Sequence, residues 1–178
     1  MKVAVLLADG FEVIEALTTV DVLRRAQVEC DTVGVAGLEV TTSNKITVKA
    51  DKVLSEETYN YDVIVLPGGM PGAVNLRDNE EVNKLVKKAY DDGKVVAAIC
   101  AGPITFGKLG IVEGKNATCY PGFEDQLKGC NYKEELVVVD GNVITGRGAG
   151  ASTPFAFEIL NKVKPEAVEA VKKGMLLA

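Results

Sequence analysis

Five apolar runs rich in β-forming residues punctuate the chain: "VAVLLA" (3–8), "CDTVGVA" (30–36), "DVIVLPGG" (62–69), "KVVAAIC" (94–100) and "LVVVDGNVITG" (136–146). Several are continuously apolar rather than alternating, which suits strands covered on both faces of a parallel sheet. Between them the spacing becomes helical. In "VIEALTTVDVLRRA" (13–26), Val13, Leu17, Val20 and Leu23 recur at steps of four, three and three, and Arg24 and Arg25 occupy the last turn. In "NEEVNKLVKKAYD" (79–91), Val82, Leu85, Val86 and Ala89 share one face, acids precede lysines, and Gly93 follows as a stop. The C-terminal stretch reads as two helices, 153–163 and 165–176, divided at Pro165.

Two segments read as hairpins. "EVTTSNKITVKAD" alternates weakly around Ser43-Asn44, and "VVVDGNVIT" sets Asp140-Gly141 between β-rich arms. Strand–helix alternation with two small antiparallel hairpin additions predicts an α/β sandwich around a mostly parallel central sheet. The length of 178 residues and the lack of a linker-like stretch predict one domain spanning 1–178.

Composition narrows the function more than the fold. Net charge is -5 with the basic residues scattered, so no phosphate-backbone footprint is expected and nucleic acid is not an expected partner. The first apolar run is too short for a signal or membrane segment, which predicts a cytoplasmic chain with no membrane partner. Four cysteines lack any C-x-x-C pair and are expected as free thiols. The chain has no histidine, which removes the commonest general base and metal ligand together. No metal and no cofactor are expected.

In open α/β sheets ligands gather at the carboxyl ends of the strands. The loops there are "ADGFEVIE", "LPGGMPGA", "ICAGP" and "TGRGAGAS", all rich in small residues that let backbone N–H groups face a ligand. Cys100 ends an apolar strand and is followed by Ala101-Gly102-Pro103, the small-residue setting of a nucleophile elbow. A thiol at a helix start would have a lowered pKa. The plain alternative is an inert buried thiol. The Gly-Gly turn lacks both G-x-G-x-x-G and G-K-[ST], so nucleotide binding is a weak reading. The better one has the Gly69 and Ala101 N–H groups forming an oxyanion hole beside Cys100. Glu15 lies among apolar residues of the first helix: either a surface acid at the helix dipole, or a buried acid with a raised pKa that carries a proton. Arg147 is either an anion contact or a surface arginine.

Together "LADGFEVIEALTTVDVLRRA", "DVIVLPGGMPGA", "VVAAICAGP" and "ITGRGAGAS" resemble the DJ-1/ThiJ/PfpI superfamily over nearly the whole chain. The resemblance implies a flavodoxin-like three-layer α/β/α sandwich, usually a homodimer. It matches the reactive cysteine to Cys100, its protonated partner acid to Glu15, and the oxyanion-hole residues to Gly69 and Ala101. Substrate contacts are expected at Gly68, Tyr120 and Arg147, and dimer contacts near Asp21 and Arg25. Several members carry a histidine where Tyr120 stands, so a Cys-His peptidase or amidase is disfavoured. What is implied is cofactor-free, glyoxalase III-like or deglycase chemistry on small 2-oxoaldehydes, or on early glycation adducts of thiols and amines. The alternative is an oxidative-stress sensor or redox-regulated chaperone built on an oxidisable Cys100.

Overall fold

The computed structural model describes residues 1–177. The chain runs β1 (Lys2–Leu7), α1 (Val13–Arg25), β2 (Glu29–Gly34), β3 (Glu39–Thr41), β4 (Thr47–Lys49), β5 (Lys52–Val53) and β6 (Val63–Leu66). It continues through α2 (Gly72–Asp78), α3 (Glu80–Asp91), β7 (Val95–Ile99), α4 (Ile104–Lys108), β8 (Asn116–Ala117) and β9 (Asn131–Tyr132). It closes with β10 (Val137–Asp140), β11 (Val143–Gly146), α5 (Ser152–Val163) and α6 (Val168–Gly174). The seven-stranded main sheet has the order β10-β11-β7-β6-β1-β2-β5. Every neighbouring pair in it is parallel except β10 with β11.

Alternation along the strands builds two cores. Val3, Val5 and Leu7 of β1 join Val63 and Val65 of β6 and Ala97 and Ile99 of β7 on the face covered by α1 and α5. Ala4, Leu6, Ile64, Leu66, Val96 and Ala98 face α3 and the segment around Phe106. A strand sandwiched this way buries both sets of side chains, which is why these runs are apolar throughout. The result is a flavodoxin-like α/β sandwich, as the alternation and the resemblance led us to expect.

Several boundaries move for local reasons. The run 62–69 yields a strand only over Val63–Leu66, because Pro67 cannot donate to the ladder and the glycines beyond it form a turn. The hairpin at Asp140-Gly141 forms one residue later: Asp140 pairs with Val143, and Gly141 opens the two-residue loop with φ +63°. The first hairpin, β3 with β4, does not extend the main sheet but forms a separate two-stranded one. A third ladder, parallel β8–β9, has no counterpart in the sequence pattern.

On α1 the apolar stripe is rotated from the expected one. The buried residues are Glu15, Ala16, Thr19, Val20, Val22 and Leu23, whereas Val13 and Leu17 are only half-buried. Glu15, Thr19 and Val22 therefore share the inward face at helical spacing.

Candidate active site

β1 lies between β2, which follows it in the chain, and β6, which is reached later, so the order in which strands are added across the sheet reverses at β1 and β6, which themselves run parallel. Connections leave the carboxyl ends of the two strands toward opposite faces, opening a crevice there. The loops after β1, β6 and β7 meet at that crevice and interlock. The Glu12 N–H donates to the Gly68 carbonyl at 2.9 Å, and the Gly10 N–H donates to the Thr41 carbonyl at 2.7 Å. Gly69 has φ +87°, and a Cβ there would stand 2.5 Å from the Gly10 oxygen, so this turn accepts only glycine.

Cys100 sits one residue past β7 with φ +64°, a left-handed conformation costly for a side-chain-bearing residue. The fold holds it there from both sides. Its N–H donates to the Gly146 carbonyl at the end of β11, and its carbonyl accepts the Tyr120 N–H, both at 2.9 Å. This is the geometry of a nucleophile elbow, and the other three cysteines lack it. Cys30 and Cys119 are buried and Cys130 is half-buried, all of them free thiols whose pKa burial raises.

Glu15 reaches the same point from the first turn of α1. It is 1% exposed, so the surface-acid alternative falls. Its Oε2 accepts the Gly68 N–H at 2.8 Å, while Oε1 is buried without a hydrogen-bond partner among the described residues. Burial lifts the Glu15 pKa to about 7, opposed by hydrogen bonding to Cys100 and to the Gly68 N–H.

The thiol does not behave as the helix-start reading suggested. Burial first, then the Glu15 charge and hydrogen bond, push Cys100 up to about 12, against the lowering effect of the Ala101 and Gly69 N–H groups. α4 has five residues and begins four residues beyond Cys100, too short and too far to outweigh desolvation. The two acids are close enough that charge on one disfavours charge on the other. The Ala101 and Gly69 N–H groups nevertheless act on the sulfur, where the sequence reading put an oxyanion hole.

Gly68, expected as a substrate contact, is buried. Its N–H is taken by Glu15, and a Cβ there would lie 2.7 Å from the Cys100 Cβ and 2.8 Å from Glu15 Oε2. It is the floor on which acid and thiol meet, a role that the Gly-Gly pair hints at and only packing reveals. Tyr120 stands at the rim, 49% exposed, with its ring edge-on to Phe123 at 6.4 Å between centroids. Arg147 is also on the rim but committed: Nη1 donates to the Glu134 carbonyl and lies 3.7 Å from the Glu134 carboxylate. Asp21 and Arg25 lie further along α1 and pair with each other across one turn at 2.7 Å.

Tyr120, Pro121, Leu136 and Arg147, with the turn at 148–151, line a shallow depression of about 400 Å³. Ala151 belongs to the apolar cluster against which Cys100 packs. Among the described residues no three His, Cys, Asp or Glu side chains converge to hold a metal ion, and no helix is long and apolar enough to cross a membrane.

This chain is similar to several known proteins. It is 40% identical over 164 residues to the Arabidopsis thaliana protein DJ-1 homolog B, covering 90% of this chain but 37% of that longer protein. It is 38% identical over 182 residues to the Danio rerio Parkinson disease protein 7 homolog, covering 99% of this chain and 96% of the relative. The crystal structure of Drosophila melanogaster DJ-1beta superposes with a TM-score of 0.95 at 36% identity, with both chains covered completely. The DJ-1/PfpI family model matches residues 1–162, and with the elbow, the acid and the Gly-Gly turn all inside that span, the chain belongs to the DJ-1/PfpI family.

Proposed function

We propose that this chain is a cofactor-independent enzyme of the glyoxalase III or deglycase type, converting small 2-oxoaldehydes to 2-hydroxy acids or releasing early glycation adducts. One observation supports the reading: a buried carboxyl, titrating near neutrality, that meets the Cys100 side chain over Gly68. A solvated carboxylate would be fully ionised at pH 7 and a poor proton carrier, whereas one near 7 both takes and gives a proton.

The chemistry needs nothing beyond these groups and water. The Cys100 sulfur bonds to the aldehyde carbon as its proton passes to Glu15, and the Gly69 and Ala101 N–H groups stabilise the oxyanion that forms. Glu15 passes that proton to the oxygen, which gives a hemithioacetal and restores the carboxylate. Glu15 then removes the hydrogen on the former aldehyde carbon as a proton and returns it to the neighbouring carbon, while the hydroxyl proton moves to the neighbouring oxygen, leaving a hydroxyacyl thioester. Water attacks the thioester carbonyl, the carbon–sulfur bond breaks, and the sulfur recovers a proton. The sum is 2-oxoaldehyde plus water giving 2-hydroxy acid, with no external oxidant.

Purified protein is expected to consume methylglyoxal catalytically. Cys100→Ala should abolish turnover, and Glu15→Gln should lower kcat by roughly 10²–10⁴-fold, the usual worth of a positioned acid–base group. Full activity in Cys100→Ala would overturn the reading. Stoichiometric oxidation of Cys100 by peroxide with no aldehyde turnover would replace it with the redox-sensor reading.

We also propose that the chain works as a homodimer. Ile14 on α1 and Ile46 in the first hairpin are 52% and 50% exposed, large apolar side chains of the kind a partner would cover. Asp21 and Arg25, the dimer contacts expected from the resemblance, lie further along the same helix as an exposed ion pair that a partner could meet.

A further inference from the structure

We propose that Glu12 is a positioning residue for the Glu15 acid, acting through the turn that the two share and through its own charge. The proposal rests on Glu15 being the proton carrier and says what helps to set the pH at which it carries.

Position is the first ground. Gly68 is held from both ends: Glu15 Oε2 accepts its N–H at 2.8 Å, and the Glu12 N–H donates to its carbonyl at 2.9 Å. The Glu12 carbonyl accepts the Ala16 N–H at 3.2 Å, so Glu12 opens the helical turn from which Glu15 projects. Any residue at position 12 could make these backbone bonds.

The side chain is the second ground. Glu12 Oε1 accepts the Ile14 N–H at 3.4 Å, and Oε2 accepts the Ser43 hydroxyl of the first hairpin at 3.3 Å. Both bonds are long, and a neutral glutamine amide has the acceptor and donor to keep them. What an acid adds there is charge.

Charge is the third ground. Two ionisable groups act on the Glu15 carboxyl: Cys100 from the elbow, and Glu12 from the start of its own helix. The Gly68 loop contributes an N–H donor, and α5, packed along α1, puts no charge on it. A carboxylate disfavours ionisation of a second carboxyl nearby, so Glu12 adds to the larger effect of burial and holds the Glu15 proton to higher pH. An acid that keeps its proton up to neutrality can give one as well as take one, as the rearrangement of the hemithioacetal requires.

Two readouts test this. In the first, glutamate side-chain carboxyls are labelled with carbon-13, the Glu15 signal is identified by its loss in Glu15→Gln, and its titration is followed by NMR without any substrate. The wild-type midpoint is expected at about 7. Glu12→Gln should lower it by roughly half a pH unit, the effect of removing one screened like charge. Glu12→Asp keeps the charge and should leave the midpoint in place. In the second, kcat/KM for methylglyoxal is measured against pH. The first step needs the Glu15 carboxylate to take the thiol proton, so the acid limb should move down with the midpoint, making Glu12→Gln about threefold faster than wild type below it.

A residue that served only as a helix cap would alter the denaturation midpoint and leave both the titration and the acid limb where they are. Equal Glu15 midpoints in wild type and Glu12→Gln, or an equal fall in Glu12→Gln and Glu12→Asp, would overturn the proposal. A midpoint lowered by Glu12→Gln alone, found together with no aldehyde turnover by the wild type, would uphold the action of Glu12 on Glu15 while the enzymatic reading fails.

Discussion

Glu15 titrates at about 7 in the folded chain against an ordinary value of 4.5, so folding is opposed by the cost of burying its charge. The unfolded chain releases the proton near 4.5 and the folded one near 7, and between these values the folded state holds more protons. Stability is therefore full below about pH 4.5, falls as pH rises through about 7, and is level above that as far as this group is concerned. The shift corresponds to a loss on the order of 3 kcal/mol. Glu15→Gln should accordingly raise stability at pH 8 by about 2–3 kcal/mol and change little at pH 4, measured by urea denaturation at both values. Equal midpoints for the two proteins at pH 8 would mean that Glu15 is not held in a dry site. The chemistry of Cys100 was partly legible from the small residues around it. Its φ of +64° and its pKa, raised by burial and by Glu15, were not, because both depend on groups distant in the chain.

Among the elements, α3 was the most legible. Its apolar face, acidic first turn and terminal lysine all lie within the helix, and Asn79 caps it by accepting the Val82 N–H at 3.0 Å. Asn79→Ala removes that bond and should lower the unfolding free energy by about 1 kcal/mol, with aldehyde turnover unaltered because α3 does not touch the site. An unchanged denaturation midpoint would show that the cap is replaced by solvent. α1 was less legible. Its stripe appeared to run through Val13 and Leu17, but packing against the sheet and α5 selects the face of Glu15, Thr19 and Val22. That face carries Glu15 and Thr19, polar residues that a hydrophobic pattern alone places outward. The two-residue strands β8 and β9 carry no period to read, and their pairing is a product of the surrounding fold.

For the molecule as a whole, the sheet order assembles the candidate site by bringing three loops, far apart in sequence, to the reversal point between β1 and β6. Light scattering of the proposed dimer should give twice the 18.9 kDa chain mass, and Ile14→Glu combined with Ile46→Glu should give the single-chain mass. Both side chains are about half exposed in the single chain, so the double variant should keep its unfolding midpoint apart from the loss of association.

Local sequence was sufficient for strand–helix alternation, the parallel character of the sheet, the position of the elbow cysteine and the absence of any imidazole chemistry. Each of these depends on the identity or spacing of nearby residues. Other properties arose only when the chain folded: which face of α1 is buried, that the Gly68 N–H is spent on Glu15, that Arg147 is bound by Glu134, and that the buried carboxyl meets the thiol. These depend on desolvation and on contacts between loops that meet only in the folded chain. A pattern of residue types along one dimension cannot encode how much water each group loses.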